Sequence, residues 1–237
     1  MATNYSPKIV TEGLVLALDA ANIKSYPGSG TAWNDMSGNG RHATMQGTMN
    51  ISNGSTVLAA GDYATIPHDS VISASVFGTS TTLTLSTWCK ITTFQNWTCM
   101  ISKAFGGSWS NTTAALWADA SGAVRFVMGC NVNSNPAGSS INPGFIVPTN
   151  TWVNVTGVAD GTNAILYVNG VQRATSPISS LTYARTENAN DITIGVRAVG
   201  AGPSHLGNIA TVQVYDKTLT ADEVKQNFEA TRSRFGI

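Results

Sequence analysis

The chain offers few groups that could do chemistry, and their spacing favours binding over turnover. Retaining glycoside hydrolysis needs two carboxyl groups about 5 Å apart, one as nucleophile and one as acid. The four glutamates, Glu12, Glu187, Glu223 and Glu229, are scattered instead. Glu223 has a better account as a helix cap, and Glu229 as part of an exposed helix face. His42, His68 and His205 stand isolated in sequence. His68-Asp69 could be half of a triad, but no Gly-x-Ser-x-Gly elbow accompanies it, so no catalytic residue is assigned.

Binding chemistry is better supplied. Carbohydrate recognition combines an aromatic platform with amide and hydroxyl groups. Gly106-Gly-Ser-Trp-Ser-Asn-Thr-Thr113 and Asn131-Val-Asn-Ser-Asn-Pro-Ala-Gly-Ser-Ser140 hold those materials in segments expected to be exposed loops. Trp109, Asn111, Asn131, Asn133 and Asn135 are therefore the candidate glycan-binding residues, with core packing the competing account for Trp109 and plain loop formation for the asparagines. Trp88, Trp97 and Trp152 are expected to pack the core. Asp19, Asp35 and Asp62 could offer carboxylate oxygens to a structural calcium, the one cofactor considered. The competing account is that these aspartates form turns, and no contiguous calcium loop is present.

The elements that must position these groups read as strands. Only 11% of the 237 residues are charged and the formal net charge is zero, which suits strands and turns more than helices with charged faces. No basic stripe exists for nucleic acid. The N-terminal apolar run is interrupted by Glu12 and Asp19, so it reads as neither a secretion signal nor a membrane span. Three cysteines, Cys89, Cys99 and Cys130, are too few and too odd in number for a disulfide scaffold, and read as thiols. The alternative is a hairpin of Thr82 to Ile91 with Trp97 to Lys103 that sets Cys89 against Cys99 across the ladder.

Period-two alternation predicts further strands at 14–18, 63–66, 114–117, 124–128, 152–158 and 191–196. Asn169-Gly170 between two apolar runs predicts a two-residue type I′ hairpin. Ile209 to Tyr215 reads as a half-buried strand, with Ala210, Val212 and Val214 on one face. Thr220-Ala-Asp-Glu223 is a capping box stapled by Leu219 and Val224, so a short helix should follow. Its apolar stripe is Val224 and Phe228, Lys225 and Glu229 are spaced to pair, and Arg232 and Arg234 suit a helix C-terminus.

From Gly13 onward the chain resembles the laminin-G-like, concanavalin-A-like jelly-roll domains. The carrying segments are Gly13-Leu-Val-Leu-Ala-Leu-Asp19, Trp33-Asn-Asp-Met-Ser-Gly-Asn-Gly-Arg-His-Ala-Thr44, Gly61-Asp-Tyr-Ala-Thr-Ile-Pro67, Leu83-Thr-Leu-Ser-Thr-Trp88, Trp152-Val-Asn-Val-Thr156, Leu166-Tyr-Val-Asn-Gly170 and Val214-Tyr-Asp-Lys-Thr-Leu-Thr-Ala-Asp-Glu-Val224. The resemblance implies an all-β fold, a two-sheet antiparallel jelly-roll sandwich with a short C-terminal helix, built as an arm over 1–12 and one domain over 13–237. Retaining glycosidases of this fold carry a Glu-x-Asp-x-x-Glu strand, which this chain lacks.

Leu18-Asp-Ala-Ala-Asn22, Ser25-Tyr-Pro-Gly-Ser-Gly30 and the ending Gln226-Asn-Phe-Glu-Ala-Thr-Arg-Ser-Arg-Phe-Gly-Ile237 resemble more narrowly the version found in bacteriophage structural proteins, notably those of cyanophages. That resemblance implies a non-enzymatic capsid decoration, head-fibre or tip protein on the virion surface, made in the host cytoplasm. Its partners would be capsid or tail proteins and further copies of itself. A glycan-binding adhesin for host polysaccharide is the alternative, and a hydrolase the third.

Overall fold

The computed structural model describes residues 7–72, 77, 81–104, 112–128, 140–141, 144–178, 189–200 and 204–237. Among them the strands are, in order, β1 (Leu14–Asp19), β2 (Ala32–Trp33), β3 (Ala43–Gln46), β4 (Asn50–Ser52), β5 (Ser55–Val57), β6 (Tyr63–Ile66), β7 (Thr82–Thr93) and β8 (Thr98–Ala104). They continue with β9 (Thr112–Ala118), β10 (Val124–Met128), β11 (Ser140–Ile141), β12 (Trp152–Asp160), β13 (Asn163–Val168), β14 (Val171–Pro177), β15 (Ile192–Ile194) and β16 (Leu206–Tyr215). A helix over Ala221–Thr231 follows. The strands form a six-stranded sheet, β1-β16-β7-β12-β13-β14, facing an eight-stranded sheet, β11-β10-β9-β8-β15-β6-β3-β2, with β4 and β5 as a separate hairpin.

Leu85, Val155 and Val214 from the first sheet meet Ile101, Leu116 and Phe126 from the second in one core. The sheets approach so closely that a Cβ on Gly157 in β12 would collide with the Phe126 ring. The Asn169-Gly170 turn takes φ of 51° and 72°, the left-handed pair that a type I′ hairpin requires.

Two strand expectations are corrected. β7 and β8 are consecutive but lie in opposite sheets, because β12 and β16 already occupy both edges of β7. Cys89 therefore points into the core and Cys99 packs with Trp117 and Val127 on the other face of the eight-stranded sheet. Both are free buried thiols, and burial pushes the Cys89 thiol up to about 12. β16 is buried on both faces, not one. A bulge sets Ile209 opposite Cys89 and Thr211 opposite Trp88, leaving Ala210 as the extra residue. Ile209, Val212 and Val214 thus join the main core, while Ala210 packs with Trp88 and Phe228 beneath the helix.

The helix is capped as its sequence requires: the Glu223 amide donates to Thr220 Oγ1 at 3.2 Å and Glu223 Oε2 accepts from the Thr220 amide at 2.8 Å. Leu219 and Val224 are buried together with Tyr215. Trp88 packs here on the outer face of its sheet, donating Nε1–H to Thr231 Oγ1 at 2.8 Å and stacking on Phe235 at 4.0 Å. Glu229 pairs with Arg232 at 2.6 Å. Lys8 and Val10 of the arm dock on this helix, since the Val10 amide donates to Asn227 Oδ1 at 2.7 Å and Gln226 Nε2 donates to the Lys8 carbonyl at 2.7 Å.

Candidate functional site

Because β3 and β6 are antiparallel neighbours with Thr44 opposite Thr65, the residues entering β3 lie beside those leaving β6. Arg41 and His42 are thereby brought against Pro67, His68 and Asp69, and these residues with Asn39, Gly40 and Thr44 line a cleft of about 330 Å³. Arg41 Nε bonds Asp69 Oδ2 at 2.7 Å, and its Nη1 donates to the Val15 carbonyl at 3.0 Å. The Asp35 amide donates to His42 Nδ1 at 3.1 Å, which occupies that ring nitrogen as an acceptor. The Lys103 ammonium, buried at the end of β8, lies 3.4 Å from His68 Nδ1 and donates to the Asn190 carbonyl.

The carboxylates around the cleft already hold donors. Partial desolvation would raise the Asp69 carboxyl, but the Val71 amide and the Arg41 guanidinium outweigh it and hold Asp69 below the usual carboxylate range. Asp191 Oδ1 accepts from the His68 amide at 2.9 Å. The site presents imidazole, guanidinium, amide and hydroxyl groups in fixed positions, a set that can recognise a polyhydroxylated ligand.

The three aspartates considered for calcium do not gather. Asp19 accepts from the Ala21 amide and pairs with Arg234. Asp35 accepts from the amides of Ala17, Ser37 and Arg41. Asp62 is buried and accepts from the Thr48 hydroxyl and the amides of Thr48 and Ala59. Among the described residues no three His, Cys, Asp or Glu side chains converge to hold a metal ion. Trp109, Asn111, Asn131, Asn133 and Asn135 lie outside the described residues, as does Cys130.

A second polar and aromatic group occurs where β7 crosses to β8. Trp97 is half-buried at this turn rather than in the core. Its ring meets Trp117 edge-on at 5.8 Å, and the Arg125 guanidinium lies 5.5 Å over it. Trp152, also half-buried, lies 4.8 Å from Phe235 with the Lys90 ammonium 5.3 Å over its ring.

A family model described as the concanavalin A-like lectin/glucanases superfamily matches residues 58–225. The chain belongs to this superfamily. No curated protein matches it significantly. The binding domain of botulinum neurotoxin DC, solved in complex with rat synaptotagmin II, superposes with a TM-score of 0.69 at 16% identity over 93% of this chain and 52% of that one. Trypanosoma rangeli sialidase gives 0.66 at 15% identity over 94% of this chain and 33% of that one. Domain 4 of AbnA, a GH43 extracellular arabinanase from Geobacillus stearothermophilus in complex with arabinotriose, gives 0.60 at 16% identity over 90% and 97%. The chain thus spans about half of the neurotoxin domain and a third of the sialidase, but nearly all of the arabinanase domain.

Within this concanavalin A-like framework, His42 and His68 are not isolated. The signal that could have joined them is the β3–β6 pairing, and β3 is a four-residue strand inside a glycine-rich stretch with no alternation long enough to declare it.

Proposed function

We propose that this chain is a non-enzymatic glycan-binding module whose ligand occupies the Arg41–His42–His68–Asp69 cleft. The observation that carries the reading is the state of the cleft's carboxylates. Asp69 is ion-paired and held below the ordinary range, whereas a glycosidase acid needs a carboxyl raised towards neutrality. The concanavalin A-like fold and its likeness to a domain solved with arabinotriose support a saccharide as the ligand class.

The setting we propose is the surface of a bacteriophage particle, with capsid or tail proteins and further copies of the chain as partners. The support is the phage-like opening and ending segments, which meet in space through Asp19 and Arg234.

Glycan-array binding followed by calorimetry tests the module. Wild type should bind at least one host-surface polysaccharide, and His42→Ala should weaken it by about tenfold, the loss of one or two hydrogen bonds. No binding across the array, or release of reducing ends from a bound polysaccharide, would reject the reading. Antibody labelling of purified particles tests the setting, and absence of the protein from virions would sink it.

A further inference from the structure

We infer that the groove between the Asn169-Gly170 hairpin and the C-terminal helix binds an N-acetylhexosamine oligosaccharide. The inference goes beyond the Arg41–His42–His68–Asp69 cleft, shares no residue with it and stands without it. That cleft is built on β3 and β6 of the eight-stranded sheet, whereas this groove lies on the outer face of the six-stranded one.

The groove encloses about 440 Å³. Its two walls are packed together at one end, where the hairpin turn rests on the Phe228 ring so closely that a Cβ on Gly170 would lie 3.1 Å from Cδ1. Val171 and Gln172 continue the hairpin wall, and Asp222 and Lys225 stand on the helix wall.

Tyr167 carries the case for a ligand. Only 4% of it is exposed, and a tyrosine so buried ordinarily finds a partner for its hydroxyl. Tyr215, in the same apolar cluster, has two: its hydroxyl donates to the Val10 carbonyl at 3.1 Å and accepts from Asn227 Nδ2 at 3.0 Å. The Tyr167 hydroxyl has no hydrogen-bond partner among the described residues, and its side chain lines the groove. Burial raises this phenol above its ordinary range and the Asp160 charge raises it further, so it stands in the groove as a protonated donor.

The helix wall selects the ligand class. Asp222 and Lys225 are three residues apart on one face, yet among the described residues neither has an ion-pair partner. The Lys225–Glu229 pair that the sequence suggests is not made, and Glu229 pairs with Arg232 at 2.6 Å instead. An acceptor-only carboxylate beside a donor-only ammonium matches the N–H and C=O of an acetamide. The acetamide methyl would meet Phe228 and Val171, an apolar side chain left 51% exposed. Asn169 is oriented by the Asn154 amide, which donates to its Oδ1 at 2.8 Å and so leaves Nδ2 to donate to a ring hydroxyl, with Gln172 and Tyr167 beside it.

Isothermal titration calorimetry with triacetylchitotriose, and with cellotriose as the sugar that lacks the acetamides, tests the groove. Wild type should bind the first at least tenfold more tightly than the second. Tyr167→Phe removes one oxygen from an otherwise unchanged ring, and Lys225→Ala changes an exposed residue. Each should weaken triacetylchitotriose by about three- to tenfold, the loss of one hydrogen bond, while the thermal midpoint stays close to that of wild type. His42→Ala should leave this binding intact. Affinity within twofold of wild type in either groove variant, cellotriose bound as tightly as triacetylchitotriose, or no binding of triacetylchitotriose by wild type overturns the site. Binding lost in His42→Ala but kept in Lys225→Ala would place the sugar in the first cleft, which keeps that reading and overturns this one.

Discussion

Arg234 grips Asp19 with both guanidinium nitrogens, Nη1 on Oδ2 at 2.8 Å and Nη2 on Oδ1 at 2.9 Å, across 215 residues of chain. Their positions near a helix end and a strand end suggested dipole compensation for one and a turn or metal role for the other. Their pairing instead fastens the last turn of the chain to the end of β1, next to the aromatic stack of Phe235 on Trp88. It also commits the Asp19 carboxylate to an internal partner.

Breaking this clamp should cost little but measurably. Both side chains keep contact with solvent, so an exposed-pair value of about 0.5–1 kcal/mol applies. Arg234→Ala and Asp19→Asn should each lower the urea midpoint, and the double variant should lose less than the two single losses added. Strict additivity in that cycle would show that the pair contributes no coupling.

The inter-sheet spacing at Gly157 predicts a larger effect. A methyl there must displace the Phe126 ring, which is fully buried between the sheets. Gly157→Ala should destabilise by about 1–3 kcal/mol. Adding Phe126→Leu, which vacates the space the methyl needs, should recover part of the loss. A Gly157→Ala protein as stable as wild type would mean that the sheets separate more easily than this packing implies.

The two described thiols give a chemical test of the sheet assignment. Cys89 and Cys99 are fully buried, on different faces and in different sheets. Burial raises both thiols above their ordinary range, with Trp117, Arg197 and Ser102 opposing it only in part at Cys99. Because the thiolate is the reactive form, neither should react with a thiol reagent in the native protein, and both should react once urea unfolds it. Peptide mapping under non-reducing conditions should recover no Cys89–Cys99 bridge.

Where local rules governed, the elements were legible. The Asn169-Gly170 hairpin, the Thr220–Glu223 cap and the alternating runs of β6 and β10 each carry their own instruction within a few residues. Two kinds of information were not local. One was which sheet a strand joins: β7 and β8 look like a hairpin until the competition of β12 and β16 for β7 is known. The other was the bulge at Ala210, which no alternation can show because Ile209 and Ala210 are consecutive apolar residues that point opposite ways. The cleft was hidden for the same reason, since Arg41-His42 and His68-Asp69 are joined only by the pairing of β3 with β6. Among the histidines, sequence treats His205 like the other two, yet it is the one with no access to solvent.

That burial makes His205 an acid trigger for unfolding. Burial pushes its pKa down from 6.5 to about 4, the Lys90 and Asn208 backbone groups opposing this only in part, and among the described residues neither ring nitrogen makes a hydrogen bond of normal geometry. The unfolded chain therefore takes up a proton at a pH where the folded one does not. Stability should be fully present above pH 6.5 and fall as the pH drops towards 4, by up to about 3 kcal/mol from this group alone. The carboxylates Asp69, Asp119, Asp160 and Glu223, all held low in the folded protein, add their losses in a separate window below about pH 4.5. Urea midpoints measured between pH 7 and 4.5 should thus slope downward for wild type. His205→Leu, which removes two buried ring nitrogens at similar volume, should fold at pH 7 and flatten that slope. An equally steep slope in His205→Leu would assign the acid sensitivity to other groups.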